Sequence, residues 1–398
     1  MTLGRHCRRP GRHGRWWLGS TLAPALLCGC VSLRPPAPPL PVVRAEAGRE
    51  LRIGQSAPLS GPSGQLGLEY RDGALAWFEE LNRRGGIHGR RLRLISRDDR
   101  YEPDLTLNNT RQLINHDRVF VLFGYVGTPT VKAVLPVVQQ EAIPLIAPLT
   151  GAAVVREPRW RGVFHLRSGY QQEIDRIIAT LVRAGRHRIA VLHQADAFGD
   201  DGLRSARQAL HRHGLQPVAT AALPRNATTA AGPARELLQA QPTAVLMVTS
   251  YPGAAALRRE LRGTDGRIQL MSVSFVGTRA LQDALPGGEA NGIGITQVVP
   301  FPWDRQLPVV AEYQRLMARR RRRAQYGFSS LEGFLAARML TEALQRAGPD
   351  PSRAALVAAL ESMGDLDLGG FRLNLGPGDH QASDFVDLTY LGAQTWGP

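Results

Sequence analysis

Two short segments of this chain combine hydroxyl side chains with a predicted helix start, an arrangement that binds carboxylates. Residues 124–130 follow one apolar run, and residues 148–152 follow the next. Thr128 and Pro129 are good residues for the cap and the first turn of a helix. The N–H groups and positive dipole end of such a helix attract an anion. Helix capping alone is the alternative, but two such loops in one cleft favour a ligand site.

Three later segments each place an aromatic ring among small polar residues. They are residues 194–199 with Phe198, residues 250–252 with Tyr251, and residues 272–277 with Phe275. Such rings can wall an apolar ligand group or stack on a cation. A single aromatic residue is more often part of a core, so the group of three is what points to a cleft.

Catalytic patterns are weak. The sequence has no HExxH, GxSxG or Walker motif. Asp98 and Asp99 form a carboxylate pair without a partner histidine, which indicates a structural role. The glycines of residues 61–67 are spaced G-x-x-G-x-x-G and do not match a dinucleotide fingerprint. Without cysteine after Cys30, thiolate metal sites are excluded. We therefore expect no enzyme activity, cofactor or metal.

The elements that position these loops alternate between strand and helix. The predicted strands are 51–55, 91–96, 119–123 and 143–146, then 188–193, one near 218, 244–248 and 268–271. The predicted helices are 66–84, 103–116, 129–141, 171–184 and 200–213, followed by 307–323, 329–347 and 353–363. The tail, residues 370–391, has a β-like pattern. This rhythm predicts an α/β fold of two lobes, each with a parallel sheet that binds ligands at the strand carboxyl ends.

All three cysteines, Cys7, Cys28 and Cys30, lie in the first thirty residues. Arginines precede the apolar stretch 16–27, which is typical of a signal peptide and too short to span a membrane. Residues 27–30 resemble a bacterial lipobox, so we expect residues 1–30 to be a leader and Cys30 to carry lipid. An ordinary cleaved signal peptide is the alternative. Residues 31–49 are proline-rich and predict an extended linker, and the protein is expected in the periplasm or cell envelope.

The formal net charge is +15, but the arginines are scattered, which argues against nucleic-acid binding. The exception is the run 319–323, five consecutive arginines. A solvated helix end is the simpler interpretation, and contact with phosphates or anionic lipid is the alternative.

Several motifs, in order and over residues 50–391, resemble the type I periplasmic binding proteins, in the leucine/isoleucine/valine-binding branch that serves ABC importers. The matching stretches are residues 57–62, 82–90, 98–103, 148–152, 197–202 and 329–333. The resemblance implies two Rossmann-like lobes with parallel sheets, joined by three hinge strands near Leu166, Val299 and Phe371. It assigns residues 50–166 and 299–371 to the first lobe, and residues 167–298 and 372–398 to the second. Closure of the lobes traps the ligand.

The resemblance also implies which residues contact the ligand. Thr128, Leu149, Thr150 and Gly151 would hold its carboxylate, with Tyr125 and Gly127 beside them, and Phe198, Tyr251 and Ser274 would come from the other lobe. Amino-acid binders of this family carry an acid where this chain has Ser274. Asp196 would supply the missing charge, or the ligand lacks an ammonium group and is an amide, a keto acid or an aromatic carboxylate.

The expected partners are this ligand, an ABC permease in the inner membrane, and the membrane itself through the lipid anchor. We expect a monomer. A ligand sensor that works with a separate signalling protein is the alternative.

Overall fold

Alternating strands and amphipathic helices form two large sheets with helices packed against them, and a two-stranded sheet lies late in the chain. The computed structural model describes residues 43–46, 48–263, 267–321 and 324–392, which all fall in one compact unit, Leu40–Pro398. The predicted leader, Cys30 and most of the linker lie outside the described residues. The described end of the linker packs on the folded body, because the N–H of Ala45 donates to the carbonyl of Pro351 at 3.0 Å.

The first lobe holds a five-stranded parallel sheet. Its elements are β1 (Glu50–Ala57), α1 (Gly64–Arg83), β2 (Arg91–Asp98), α2 (Pro103–Asn115), β3 (Val121–Phe123), α3 (Thr128–Gln140), β4 (Leu145–Ile146) and β5 (Val163–Phe164). The strand order is β2-β1-β3-β4-β5, and every pairing is parallel. Strands β3 to β5 are buried along their whole length, as continuous apolar runs predict for a sheet covered on both faces.

The second lobe repeats this plan. Its elements are α4 (Tyr170–Arg183), β6 (Ile189–Gln194), α5 (Ala197–His211), β7 (Thr220–Leu223), α6 (Ala231–Gln239), β8 (Ala244–Val248), α7 (Tyr251–Glu260), β9 (Gln269–Ser272), α8 (Thr278–Ala284) and β10 (Gly294–Gln297). The remaining elements are α9 (Pro308–Arg320), α10 (Phe328–Arg346), α11 (Arg353–Glu361), β11 (Gly364–Asp367), β12 (Arg372–Leu375) and β13 (Asp387–Tyr390). The second sheet has the order β13-β10-β9-β8-β6-β7, with only β13 antiparallel to its neighbour. The predicted two-lobed α/β fold is confirmed. In the described ranges, no helix combines the length and apolar character that a bilayer span requires.

The chain crosses between the lobes for the third time later than the predicted hinge position near Phe371. Strand β12 pairs with β11, and Gln381 bridges His165 directly after β5 of the first sheet. The N–H of Ala382 donates to the carbonyl of His165 at 2.8 Å. These pairings hold residues 372–382 beside the first lobe, and the chain enters the second sheet only at β13.

Helices α1 and α10 cross at two glycines that allow their backbones to touch. A Cβ atom on Gly73 would lie 2.6 Å from the carbonyl carbon of Ser330, and one on Gly333 would lie 2.8 Å from the carbonyl carbon of Tyr70. Contacts this short with backbone atoms require the helices to move apart. The crossing therefore fixes the position of α1, whose N-terminus follows the first loop of the cleft.

We expect Gly73→Ala to destabilise the protein by about 1–3 kcal/mol because the methyl group overpacks this crossing. Gly232→Ala is the matched control, since a Cβ there meets nothing within 4 Å on α6 and alanine favours helix. Urea unfolding measures both. Equal midpoints for the two variants would show that the helices separate at no cost.

Candidate functional site

The two predicted carboxylate loops lie side by side at the carboxyl ends of β3 and β4. Val126 and Leu149 form a parallel bridge. The N–H of Gly127 donates to the carbonyl of Leu149 at 3.1 Å, and the N–H of Leu149 donates to that of Tyr125 at 2.7 Å. The strand order reverses between β1 and β3, and such switch points are where open α/β sheets bind ligands.

Two threonine hydroxyls meet where these loops join. The Oγ1 atoms of Thr128 and Thr150 are 2.7 Å apart, and both side chains are fully buried. Thr128 begins α3, so the first N–H groups of that helix lie beside the hydroxyls. Hydroxyls and a helix N-terminus together form a site that favours a carboxylate.

Arg156 adds positive charge behind this pair. Its Nη2 donates to the carbonyls of Thr150 at 3.2 Å and Arg167 at 3.0 Å, and its Nη1 donates to Oε1 of Gln381 at 2.8 Å. Burial, followed by repulsion from Arg167, lowers the pKa of Arg156 to about 10, so it stays charged at neutral pH. None of the ion pairs among the described residues involves it. Glu173 and Asp201 act on it through space and favour its charged form, and an anionic ligand beside Thr150 would add a further opposite charge.

The side chain of Tyr125 points away from the cleft. Its hydroxyl lies 2.9 Å from Oγ1 of Thr110, within the hydrophobic cluster around α3. Only the backbone of Tyr125 takes part in the loop pairing. Gly127 has φ 97°, and a Cβ there would lie 3.0 Å from Cδ2 of Tyr101, so this glycine makes room for the Tyr101 ring.

The second lobe brings Phe198 and Ser274 to the opposite side, at the carboxyl ends of β6 and β9. Phe198 is fully buried, and its N–H donates to Oδ1 of Asp196 at 3.0 Å. Tyr251 is half-buried at the start of α7, directly after β8. The structure thus brings every predicted ligand residue to the facing ends of the two sheets, except for the Tyr125 side chain.

Ser274 is held by a buried acid that the sequence did not indicate. Oε2 of Glu173 accepts from the Ser274 N–H at 2.7 Å and from Oγ1 of Thr296 at 2.7 Å, and Oε1 accepts from the Ser274 hydroxyl at 3.1 Å. Burial raises the pKa of Glu173, against the opposing effect of Arg167 and these donors. Glu173 therefore anchors the loop that carries Ser274.

Tyr101 is a cleft residue that sequence reasoning missed. It follows Arg100 in a turn where both residues adopt left-handed φ values, 52° and 65°. Asp99 holds this turn by accepting from the Tyr101 N–H at 2.9 Å and from Ser56 Oγ at 2.8 Å. Burial raises the pKa of Asp99 to about 6. The paired aspartates hold local backbone, since Asp98 accepts from the Leu59 and Arg100 N–H groups. Asp98 ends β2 and Asp99 follows it, and this place at a strand end is the signal that could have identified Tyr101.

Direct contacts join the two lobes, so the structure represents a closed state. Arg225 pairs with Glu102 at 2.5 Å, and Gln194 Nε2 donates to the Tyr101 hydroxyl at 3.1 Å. Further contacts are Ser63 Oγ to Ser250 Oγ at 3.3 Å, Ser63 Oγ to Asn226 Oδ1 at 2.8 Å, and the Ala153 N–H to Asp201 at 3.3 Å. Each needs one partner from each lobe, so closure itself forms them.

The arginine run does not present a free cationic surface. Arg319 pairs with Glu80 at 2.9 Å, and Arg320 pairs with Asp72 at 3.2 Å and with Glu79 at 3.0 Å. Arg321 also contacts Asp72, while residues 322 and 323 lie outside the described residues. Helix α1 therefore neutralises the described part of the run. Over the described ranges, no group of three or more metal-ligating side chains occurs.

A family model described as periplasmic binding protein matches residues 50–393. A solved structure described as a possible leucine/isoleucine/valine-binding protein from Rhodopirellula baltica SH 1 is 36% identical and covers 87% of this chain and 95% of that chain, with a TM-score of 0.82. The solved structure of a substrate-binding periplasmic protein from Ralstonia solanacearum is 33% identical. The match covers 86% of this chain and 98% of that chain, with a TM-score of 0.81. An amino acid binding protein from Pseudomonas aeruginosa is 24% identical over 238 residues, 59% of this chain and 63% of that relative. The chain thus matches less than two thirds of the length of the first curated relatives.

Proposed function

The chain belongs to the type I periplasmic binding proteins, and from this premise we propose that it captures a small carboxylated solute by lobe closure and delivers it to an ABC importer. The observation that carries the proposal is the buried hydroxyl pair of Thr128 and Thr150, 2.7 Å apart at the start of α3. Arg156 behind them lacks an ion-pair partner among the described residues. A carboxylate between the lobes would accept from the hydroxyls and balance this charge.

A thermal-shift screen tests the capture of a carboxylate. The panel contains amino acids, amides, keto acids and aromatic carboxylates, each acid beside its own primary amide. A ligand that binds only the folded protein raises the melting temperature by mass action. We expect the acid of a pair to raise it and the amide to leave it unchanged. Equal shifts for acid and amide, or none with any acid, would contradict the proposed site.

Transport by a permease is tested in cells. Deleting the gene should abolish uptake of the labelled ligand, and a plasmid copy should restore it. Normal uptake together with a lost transcriptional response to the ligand would instead support the sensor alternative.

Anchoring through Cys30 is a further part of the proposal. We expect Cys30→Ser to release the protein from the membrane fraction and to abolish labelling with palmitate. Cys28→Ser is the matched control, since it removes the neighbouring thiol and should leave the label in place. A parent protein without label would show that the leader is cleaved without lipidation.

A further inference from the structure

Four aromatic rings form a continuous line through the closed cleft. Tyr101 from the first lobe meets Phe275 at 5.9 Å between centroids, Phe275 meets Phe198 at 4.7 Å, and Phe198 meets Tyr170 at 5.1 Å. None of the four is more than 1% exposed. Their interplanar angles of 43–61° are the tilted and edge-on arrangements that aromatic groups favour.

This line ends on the two glycines of the carboxylate loops. A Cβ on Gly127 would overlap the Tyr101 ring, at 3.0 Å from its Cδ2 atom, and a Cβ on Gly151 would lie 2.7 Å from Cδ1 of the Tyr170 ring. The rings therefore span the same stretch of cleft as the threonine hydroxyls. If the carboxylate of a solute binds at Thr128 and Thr150, the remaining atoms of the solute must lie among these rings.

The acids near the rings are already engaged with protein donors. Glu173 accepts from Ser274 and Thr296. Asp196 accepts from the Phe198 N–H at 3.0 Å and from Gln194 Nε2 at 2.6 Å, and it lies 3.6 Å from Arg225.

Two further acids are occupied in the same way. Asp201 contacts Arg204 and the Ala153 N–H, and Asp99 accepts from Ser56, Thr106 and the Tyr101 N–H. Asp196 and Asp201 each lie close to an arginine, whereas Glu173 and Asp99 each accept three hydrogen bonds from protein donors. An ammonium group would have to displace these partners to reach any of the four carboxylates. A buried ammonium without a counter-charge is strongly disfavoured.

We propose that the ligand of this cleft is an aromatic carboxylate without an ammonium group. The inference rests on the proposed function, since it names the solute that the same site takes. The positive side of the site, formed by the α3 N-terminus and Arg156, receives the carboxylate. The ligand ring separates the facing rings of Tyr101, Phe275 and Phe198 and replaces their contacts with its own.

Gln194 adds a preference within this class. Its Nε2 donates to Asp196 and to the Tyr101 hydroxyl, which fixes the amide orientation. Its Oε1 is buried and has no hydrogen-bond partner among the described residues. A hydroxyl group on the ligand ring would donate to this oxygen and remove the cost of burying it unpaired.

Matched ligand pairs test the inference by calorimetry. 3-Phenylpropanoate and phenylalanine differ only in the ammonium group, as do 4-methylpentanoate and leucine. We expect 3-phenylpropanoate to bind at least about tenfold more tightly than either phenylalanine or 4-methylpentanoate. Phenylalanine or leucine binding as tightly as its ammonium-free partner overturns the inference and leaves the proposed function standing. Absence of binding by every carboxylate overturns both.

Phe275→Leu tests the ring contact while it keeps an apolar side chain in place. We expect the affinity for 3-phenylpropanoate to fall about fivefold and that for 4-methylpentanoate to stay unchanged. Leu105→Ala on α2 is the control, since that side chain is 39% exposed and should alter neither affinity. Equal losses for both ligands in Phe275→Leu, with the melting temperature unchanged, would mean that the rings do not select the ligand.

Discussion

Replacing Glu332 with glutamine is expected to lower the free energy of unfolding by about 3–5 kcal/mol, because it leaves a buried guanidinium without its counter-charge. Arg167 Nε and Nη2 donate to the two carboxylate oxygens of Glu332 at 2.8 and 2.9 Å. Both side chains are at most 4% exposed. Burial opposes the charge of Arg167, but Glu332 outweighs burial and holds the pKa of Arg167 above its usual value.

The same helix provides the control. Glu342, also on α10, pairs with Arg346 at 2.8 Å, but both side chains are more than one-third exposed, at 38% and 35%. Such surface pairs contribute about 0–1 kcal/mol, so Glu342→Gln should hardly alter the urea midpoint. The double variant Arg167→Met, Glu332→Leu should recover most of the lost stability, because it removes both charges. Similar midpoints for Glu332→Gln and Glu342→Gln would contradict the importance of the buried pair.

Arg167 of this ion pair directly follows Leu166, where the resemblance places the first hinge strand. The carbonyl of Arg167 accepts from Arg156, whose other donors reach Thr150 and Gln381. The guanidinium of Arg156 thus connects three segments: the backbone at Arg167, the loop that contains Thr150, and the segment that contains Gln381. A ligand bound at Thr150 would therefore be connected through Arg156 to the backbone of residue 167 and to the side chain of Gln381.

The parts of the fold that were predictable from the sequence depend on local pattern. The apolar run 119–123 indicated β3, and helix α4, predicted at 171–184, is observed as Tyr170–Arg183. Strands β5 and β10, of two and four residues, were not read from the local pattern, and only the family resemblance implied strands near them, at Leu166 and Val299. The third passage was placed too early because β12 and the residues after it pair with the first lobe, a long-range choice that the local pattern does not reveal.

The candidate site divides in the same way. The two threonine loops directly follow predicted strands, so their position at the cleft could be predicted from the sequence. One of the family motifs, residues 148–152, indicated the same place. Tyr101 and Tyr170 reach the cleft only through a left-handed turn and a helix start that lies against Gly151. Glu173 lies far from Ser274 in the sequence, and only the packing of α4 beneath the β9 loop brings them together. Residue type and spacing alone do not predict contacts between residues that are so far apart in the sequence.

Thr150→Val is expected to weaken the binding of any carboxylate ligand by about 1.5–3 kcal/mol, roughly a 10- to 150-fold rise in Kd. Valine keeps the shape of threonine and removes the hydroxyl that lies 2.7 Å from Thr128 Oγ1 and accepts from the Ala152 N–H at 3.3 Å. Stability should also fall, because the Thr128 hydroxyl and this N–H lose a partner in a buried place. Affinity and stability therefore have to be measured separately, by calorimetry and by urea unfolding.

Thr110→Val separates the two effects. Thr110 is as buried as Thr150, and its hydroxyl lies 2.9 Å from the Tyr125 hydroxyl, inside the first lobe and away from the cleft. Both variants should lose stability, but only Thr150→Val should lose affinity. An unchanged Kd in Thr150→Val would show that the ligand carboxylate does not bind at Thr150. A Kd that rises equally in both variants would show that affinity follows the stability of the first lobe rather than a hydrogen bond from Thr150 to the ligand.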